Sequence, residues 1–182
     1  MKSSTMSTGF HDGYRLQIHV RDGRVRLFTM TGVDWTERFP RIIESAARIK
    51  GSAIIDAEGC IIGDDGVADF AKLHARGHEA SVTAYAFDVM MIDDDDVRKE
   101  PWSKRNNMLF KLVKRSGGGL LYSEPIISAD GPTIYQHACN LGLEGIVSKR
   151  IDSPYRSGRV KTWVKTKNPK SAAALRIEEG TF

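Results

Sequence analysis

Cysteine is scarce in this chain: 182 residues contain Cys60 and Cys139, far apart and without a Cys/His cluster around either. That argues against a disulfide scaffold or a zinc site and suits a reducing, cytoplasmic setting, with both thiols read as ordinary buried side chains. Long apolar runs are missing too. No stretch approaches the ~20 residues of a membrane span, and Met1 to Gly9 lacks the apolar centre of a signal peptide, so export is not expected. Nor does one sign of charge dominate. The 27 basic and 23 acidic residues leave a net charge of +4, so only a local patch could favour an anionic partner such as nucleic acid. There is no internal repeat. Gly117-Gly118-Gly119 is not followed by Gly-Lys-Ser/Thr and a helix, and it reads as a flexible connector rather than a phosphate loop.

What is present reads as one soluble globular domain, with 41% hydrophobic and 27% charged residues; the length allows one domain or two but not three. Tyr14, Leu16, Ile18 and Val20 alternate on one side of a strand, and Asp22-Gly23 turns it back into Val25 to Thr29. Phe39, Ile42, Ile43, Ala46, Ala47 and Ile49 recur at helical spacing before Gly51 stops them. Ser52 to Ile62 is an isoleucine-rich strand whose Asp56 and Glu58 leave the same face. After a turn at Gly63 to Gly66, a short helix spans Asp69 to Arg76 and a largely buried strand runs from Ser81 to Ile92. Asp93 to Asp96 read as a solvated turn, because consecutive side chains do not converge on one ion without a shaped loop. Pro101 opens a helix through Lys114; Leu120 to Ile127 is a strand, Thr133 to Asn140 a helix, Gly145 to Arg150 a strand and Thr162 to Lys167 the last strand. Without a regular βαβ repeat, the expected class is α+β with largely antiparallel sheet.

Several residue types here carry chemistry, each with a bland reading beside it. Lys165 and Lys167 alternate on one strand, so one phosphate could meet both charges, although such lysines on an exposed face usually solvate it. Glu144 opens a strand, where an acidic residue is more often a solvated cap than a ligand, and Glu58 carries the same alternative. Phe87 sits in an apolar strand, where packing is the ordinary role. Asp12, Gly13 and Arg15 at a strand start form a pattern that any turn could produce.

Their order is more specific than any one of them. His11-Asp12-Gly13-Tyr14-Arg15, Asp34-Trp35-Thr36, Asp56-Ala57-Glu58, Ala86-Phe87-Asp88, Leu143 to Arg150 and Trp163-Val164-Lys165-Thr166-Lys167 together resemble the ordered motifs of the ATP-dependent DNA ligases, in particular the short bacterial and end-joining type. The resemblance covers about His11 to Pro169. It implies a nucleotidyltransferase fold, ATP-grasp-like, of antiparallel sheets packed with helices, over residues 10–169. Met1 to Gly9 is then an atypical leader and 170–182 a tail too short for the OB-fold domain that usually follows.

Position by position, the resemblance implies that Glu58 holds the ribose and Phe87 the adenine of ATP, and that Lys165 and Lys167 grip the α-phosphate. Glu144 would lie near a divalent metal, expected to be magnesium because hard phosphate oxygens and few carboxylates suit it. Arg15, with Asp12 and Gly13 of the first motif, would bind the nucleotide or the nick phosphate. The family reaction adenylylates a lysine, passes AMP to a 5′-phosphate at a nick, and lets a 3′-hydroxyl displace AMP, in DNA repair and recombination.

Departures gather at the start. Phe10 occupies the place of the lysine nucleophile in K-x-D-G-x-R, Met30 that of a usual arginine, Ala57 that of the glycine in D-G-E, and Asp94 that of a common turn glycine. Self-adenylylation is therefore expected to be lost, and affinity for nicked DNA is expected to be weak and salt-sensitive because the OB-fold partner that closes on DNA is not in this sequence. A non-catalytic ATP- or nicked-DNA-binding module and a degenerate remnant are the alternatives. The sequence names no end-joining protein partner.

Overall fold

Leu16, Ile18 and Val20 alternate with more exposed residues, and in the computed structural model they line the buried face of β2 (Tyr14–Arg21). The structure describes residues 5–10, 13–126, 130–158, 160–171 and 174. Asp22 at φ 48° and Gly23 at φ 79° make the tight turn into β3 (Arg24–Thr29), the primed geometry that matches strand twist. On its other side β2 pairs antiparallel with β4 (Ser52–Cys60), and β4 pairs with β5 (Thr83–Ile92). Asp93 and Asp94, both at positive φ, turn β5 back into the two-residue strand β6 (Asp95–Asp96). The four aspartates thus form a hairpin, in which Asp93 caps the Ser52 amide and Asp96 pairs with Arg98.

Helix α1 (Pro40–Ala46), with Pro40 at its first turn, and α3 (Trp102–Val113) cover the apolar face of this sheet. Phe39, Ile42, Leu109 and Val113 pack there against Leu16, Ile18, Leu27, Ile55 and Val89. The short α2 (Phe70–His74) is capped by Asp69, whose carboxylate accepts the Lys72 amide hydrogen. β7 (Leu120–Tyr122) adds to β5 in parallel, the exception in an otherwise antiparallel six-stranded sheet. The strand expected from Leu120 to Ile127 is shorter than its composition suggests. Beyond Tyr122 the Ser123 amide still donates to the Ala86 carbonyl at 2.8 Å and Ile126 pairs with Ser7, and Ile127 lies outside the described residues.

The glycine run corrects the expectation of a flexible connector. A methyl group at Gly119 would collide with the Arg41 carbonyl oxygen, and the Gly119 amide donates to Ser45 Oγ at 2.8 Å, so the turn is packed onto α1.

A second sheet of three strands has the order β1-β8-β9, from β1 (Thr5–Phe10), β8 (Gly145–Arg150) and β9 (Trp163–Lys167). Helix α4 (Gly131–Asn140) covers one face of it, with Ile134 and Ala138 on Ile146. The leader segment up to Phe10 thus supplies a strand. The other face looks toward the large sheet. Among the described residues no helix is long and apolar enough to cross a membrane.

Candidate functional site

Gly13 sets the spacing at the start of β2. A Cβ there would lie 2.6 Å from the Gly59 carbonyl oxygen and 3.2 Å from Glu58 Oε1, so only glycine lets the chain approach β4 and its carboxylate this closely. The register then places Arg15 opposite Glu58. Arg15 reaches diagonally to the next carboxylate on that face: Nη2 donates to Asp56 Oδ2 at 2.7 Å and Nε to Oδ1 at 3.1 Å. Tyr155, in the Tyr155 to Gly158 loop, completes the group. Its hydroxyl donates to Asp56 Oδ2 at 2.9 Å and accepts from Arg15 Nη2 at 3.2 Å. The hydrogen bonds with Asp56 hold the Arg15 guanidinium far above its ordinary pKa, and burial, followed by Asp56, pushes the Tyr155 phenol up to about 12. Asp12, next to this group in sequence, lies outside the described residues.

Phe87 owes its position to a bulge. Ala57 pairs with Ala86 but Asp56 with Asp88, so Phe87 is the extra residue of β5, half-buried and set outside the ladder. The next residue is anchored: Asp88 accepts from Arg105 Nε at 2.8 Å and Nη2 at 3.0 Å, both side chains fully buried. Arg105 also donates from Nη1 to the Ser153 carbonyl, which ties α3 to the loop carrying Tyr155. The Arg15 guanidinium stands 5.7 Å from the Phe87 ring centroid.

The small sheet sets three rows of residues across its strands. Phe10, Gly145 and Lys167 are register partners, as are Thr8, Val147 and Lys165, and Met6, Lys149 and Trp163. Directly opposed residues share a face, and Lys149 shows that this face meets the large sheet, since its Nζ donates to the Phe87 carbonyl at 3.3 Å. Lys165 and Lys167 are exposed at the edge strand. Glu144 Oε2 is 3.7 Å from Lys165 Nζ, and the loop holding Glu144 is clamped by Asn168, whose amide donates to the Glu144 carbonyl at 2.7 Å and whose Nδ2 donates to that of Leu143 at 2.9 Å. The Tyr135 hydroxyl fixes the end of β9 through the Lys167 carbonyl at 3.0 Å.

The fold thus brings Gly13, Arg15, Glu58 and Phe87 together on one sheet and Glu144, Lys165 and Lys167 on the other, the two groups facing across Lys149 and Tyr155. Sequence reasoning missed Tyr155, Lys149 and Arg105. A signal existed for Lys149 alone: alternation from Gly145 puts a lysine on the same face as Val147.

The profile of the ATP dependent DNA ligase domain matches residues 7–167. A multifunctional non-homologous end joining protein LigD of Pseudomonas aeruginosa is 32% identical over 160 residues, and one of Mycolicibacterium smegmatis is 30% identical over 161. These alignments cover 86% and 87% of this chain but 19% and 21% of the relatives, so the chain spans about a fifth of their length. A structure described as mycobacterial DNA ligase D complexed with ATP and MES superposes with a TM-score of 0.80 at 29% identity, over 91% of this chain and 55% of that one. A profile match across most of the sequence, together with the superposition over 91% of it, settles the membership: the chain belongs to the ATP-dependent DNA ligase domain family.

Proposed function

We propose that this domain, residues 10–169 with β1 completing its small sheet, holds ATP between the two sheets and serves the sealing of nicked DNA in end-joining repair and recombination, but does not adenylylate itself. The observation that carries the reading is the row Phe10, Gly145, Lys167. That register supports the reading that residue 10 takes the place the resemblance gives to the lysine, near the lysines assigned here to the phosphate, and a phenyl group has no lone pair with which to attack phosphorus.

In this reading Phe87 carries the adenine and Glu58, beside Gly13, the ribose. Lys165 and Lys167 neutralise the α-phosphate from the edge of the small sheet. Arg15 is held rigid by Asp56 and Tyr155, so it presents its charge without paying for ordering at the moment of binding. Asp12 belongs to the same binding group by its place in the first motif. Glu144 would hold magnesium, which when bound supplies charge neutralisation on the phosphates. The donor set fits, because magnesium is commonly bound through one or two carboxylates and substrate phosphate oxygens rather than an all-protein cage. Glu144, with 12% of its side chain exposed, is the carboxylate next to the lysines.

The test is covalent labelling. Incubation with radiolabelled ATP and magnesium, followed by denaturation, is expected to leave no AMP on this chain, whereas Phe10→Lys is expected to acquire an acid-labile, alkali-stable label. A labelled band on the unaltered chain would overturn the loss of self-adenylylation. An unlabelled but folded Phe10→Lys would show that the pocket itself cannot position ATP.

A further inference from the structure

Lys149 is the buried ionisable group that this chemistry leaves without a task. It stops in a box of rings, its Nζ 4.7 Å from the centroid of Phe87, 4.2 Å from that of Trp163 and 5.9 Å from that of Trp102, and the residue is 3% exposed. The carboxylates around it are committed elsewhere, Asp88 to Arg105 and Asp56 to Arg15 and Tyr155. Its hydrogen bond goes to the Phe87 carbonyl. One ammonium therefore grips the main chain and the ring of the same residue. That residue is also the one most in need of fixing, since the bulge removes Phe87 from the ladder that orients its neighbours.

We propose that Lys149 is a positioning residue for the purine: fixed against both the carbonyl and the ring of Phe87, its ammonium holds that ring in the plane on which the base of ATP stacks. The inference rests on the assignment of the adenine to Phe87 made above. It couples nucleotide affinity to the charge of a buried lysine that is not among the proposed phosphate contacts.

Burial pushes the Lys149 amine down to about 8, with Asp88 and Asp56 favouring the charged form and Arg105 and Arg15 opposing it. These groups face it from β5, β4, α3 and β2, and Tyr155 faces them from the loop after β8. Tyr155, pushed up to about 12, stays neutral while Lys149 titrates. The ammonium is thus lost within a range where the charge of the triphosphate is constant.

The experiment is equilibrium ATP binding by the full chain between pH 7.5 and 9.5, with Lys149→Met and Phe87→Ala alongside. The unaltered chain is expected to lose affinity steeply across that range, by up to roughly 25-fold where only the ammonium form binds, since a pKa of about 8 lowers the charged fraction by about that factor. Lys149→Met is expected to bind more weakly than the unaltered chain at pH 7.5 and to show no further loss. A merely structural lysine would leave the pH profile unmoved, so wild-type affinity in Lys149→Met, or a flat profile in the unaltered chain, overturns the proposal. The second criterion needs no variant to fold. If Phe87→Ala binds normally, or if the unaltered chain binds no ATP at any pH, the assignment of the purine to Phe87 falls and the role of Lys149 falls with it. Loss in Phe87→Ala with normal binding in Lys149→Met removes the role of Lys149 alone.

Discussion

Two buried cations mark the limits of what a side chain can do inside this domain. Arg105 is fully buried but paired twice with Asp88, so its charge is compensated in place. Lys149 has rings and one carbonyl instead, and burial therefore depresses its pKa to about 8. The consequence for stability has a definite sign. Below pH 8 the lysine is charged in both folded and unfolded chains, and the folded state carries the full cost. Between about 8 and the unfolded value of 10.5 only the unfolded chain keeps the proton, so stability rises with pH. A gap of this size corresponds to roughly 3 kcal/mol. Urea unfolding of the unaltered chain and of Lys149→Met at pH 7.5 and 10.5 is expected to show the unaltered chain gaining on the variant by about that amount. Parallel stabilities at the two pH values would mean that Lys149 is not buried as a charge. ATP affinity is expected to move the other way over the same range, which separates the positioning role from a stabilising one.

Elements differ in how far the sequence announces them, and the difference follows from range. The β2–β3 hairpin is legible because Asp22-Gly23 chooses the turn locally, and α1 because its apolar spacing and Pro40 are local as well. The bulge at Phe87 is not, because a register shift exists only against the partner strand, and neither the apolar run of β5 nor that of β4 records it. The same limit hid Lys149 and Tyr155, whose partners lie 62 and 99 residues away. It also made the glycine run read as slack when it is a contact. Gly119 lies outside the positive-φ region, so replacement there acts through the Arg41 carbonyl rather than through backbone preference. Gly119→Ala is expected to cost about 1–3 kcal/mol, or more if α1 cannot shift. Gly131→Ala, at the start of α4 with nothing within 4 Å of the added methyl, is expected to be neutral or slightly stabilising. Equal urea midpoints for the two variants would show that the Gly119 turn yields freely.

For the molecule as a whole, under the proposed function the step that would need a lysine at position 10 is separable from the steps that the remainder of the site would serve. Sealing a nick that already carries AMP needs groups to hold the adenylate and the DNA phosphates, and the proposed Arg15, Lys165 and Lys167 stand on two sheets whose relative position is fixed by Arg105, Tyr155 and Lys149. A chain with a net charge of only +4 has little general attraction for DNA, so under the proposed function binding would have to come from the few cations at the site. If about three phosphates are neutralised, affinity is expected to fall roughly 40-fold between 50 and 200 mM salt. The measurement is fluorescence anisotropy on a nicked duplex across that range, paired with a sealing assay on the pre-adenylated nick at the low-salt end. The expected result is steep salt dependence with trace sealing, and Lys165→Ala should lower both affinity and sealing. Binding that ignores salt would refute phosphate contacts as its source. Binding without sealing would favour a module that holds nicked DNA, and absence of both, with no ATP binding either, would leave a folded remnant of the family.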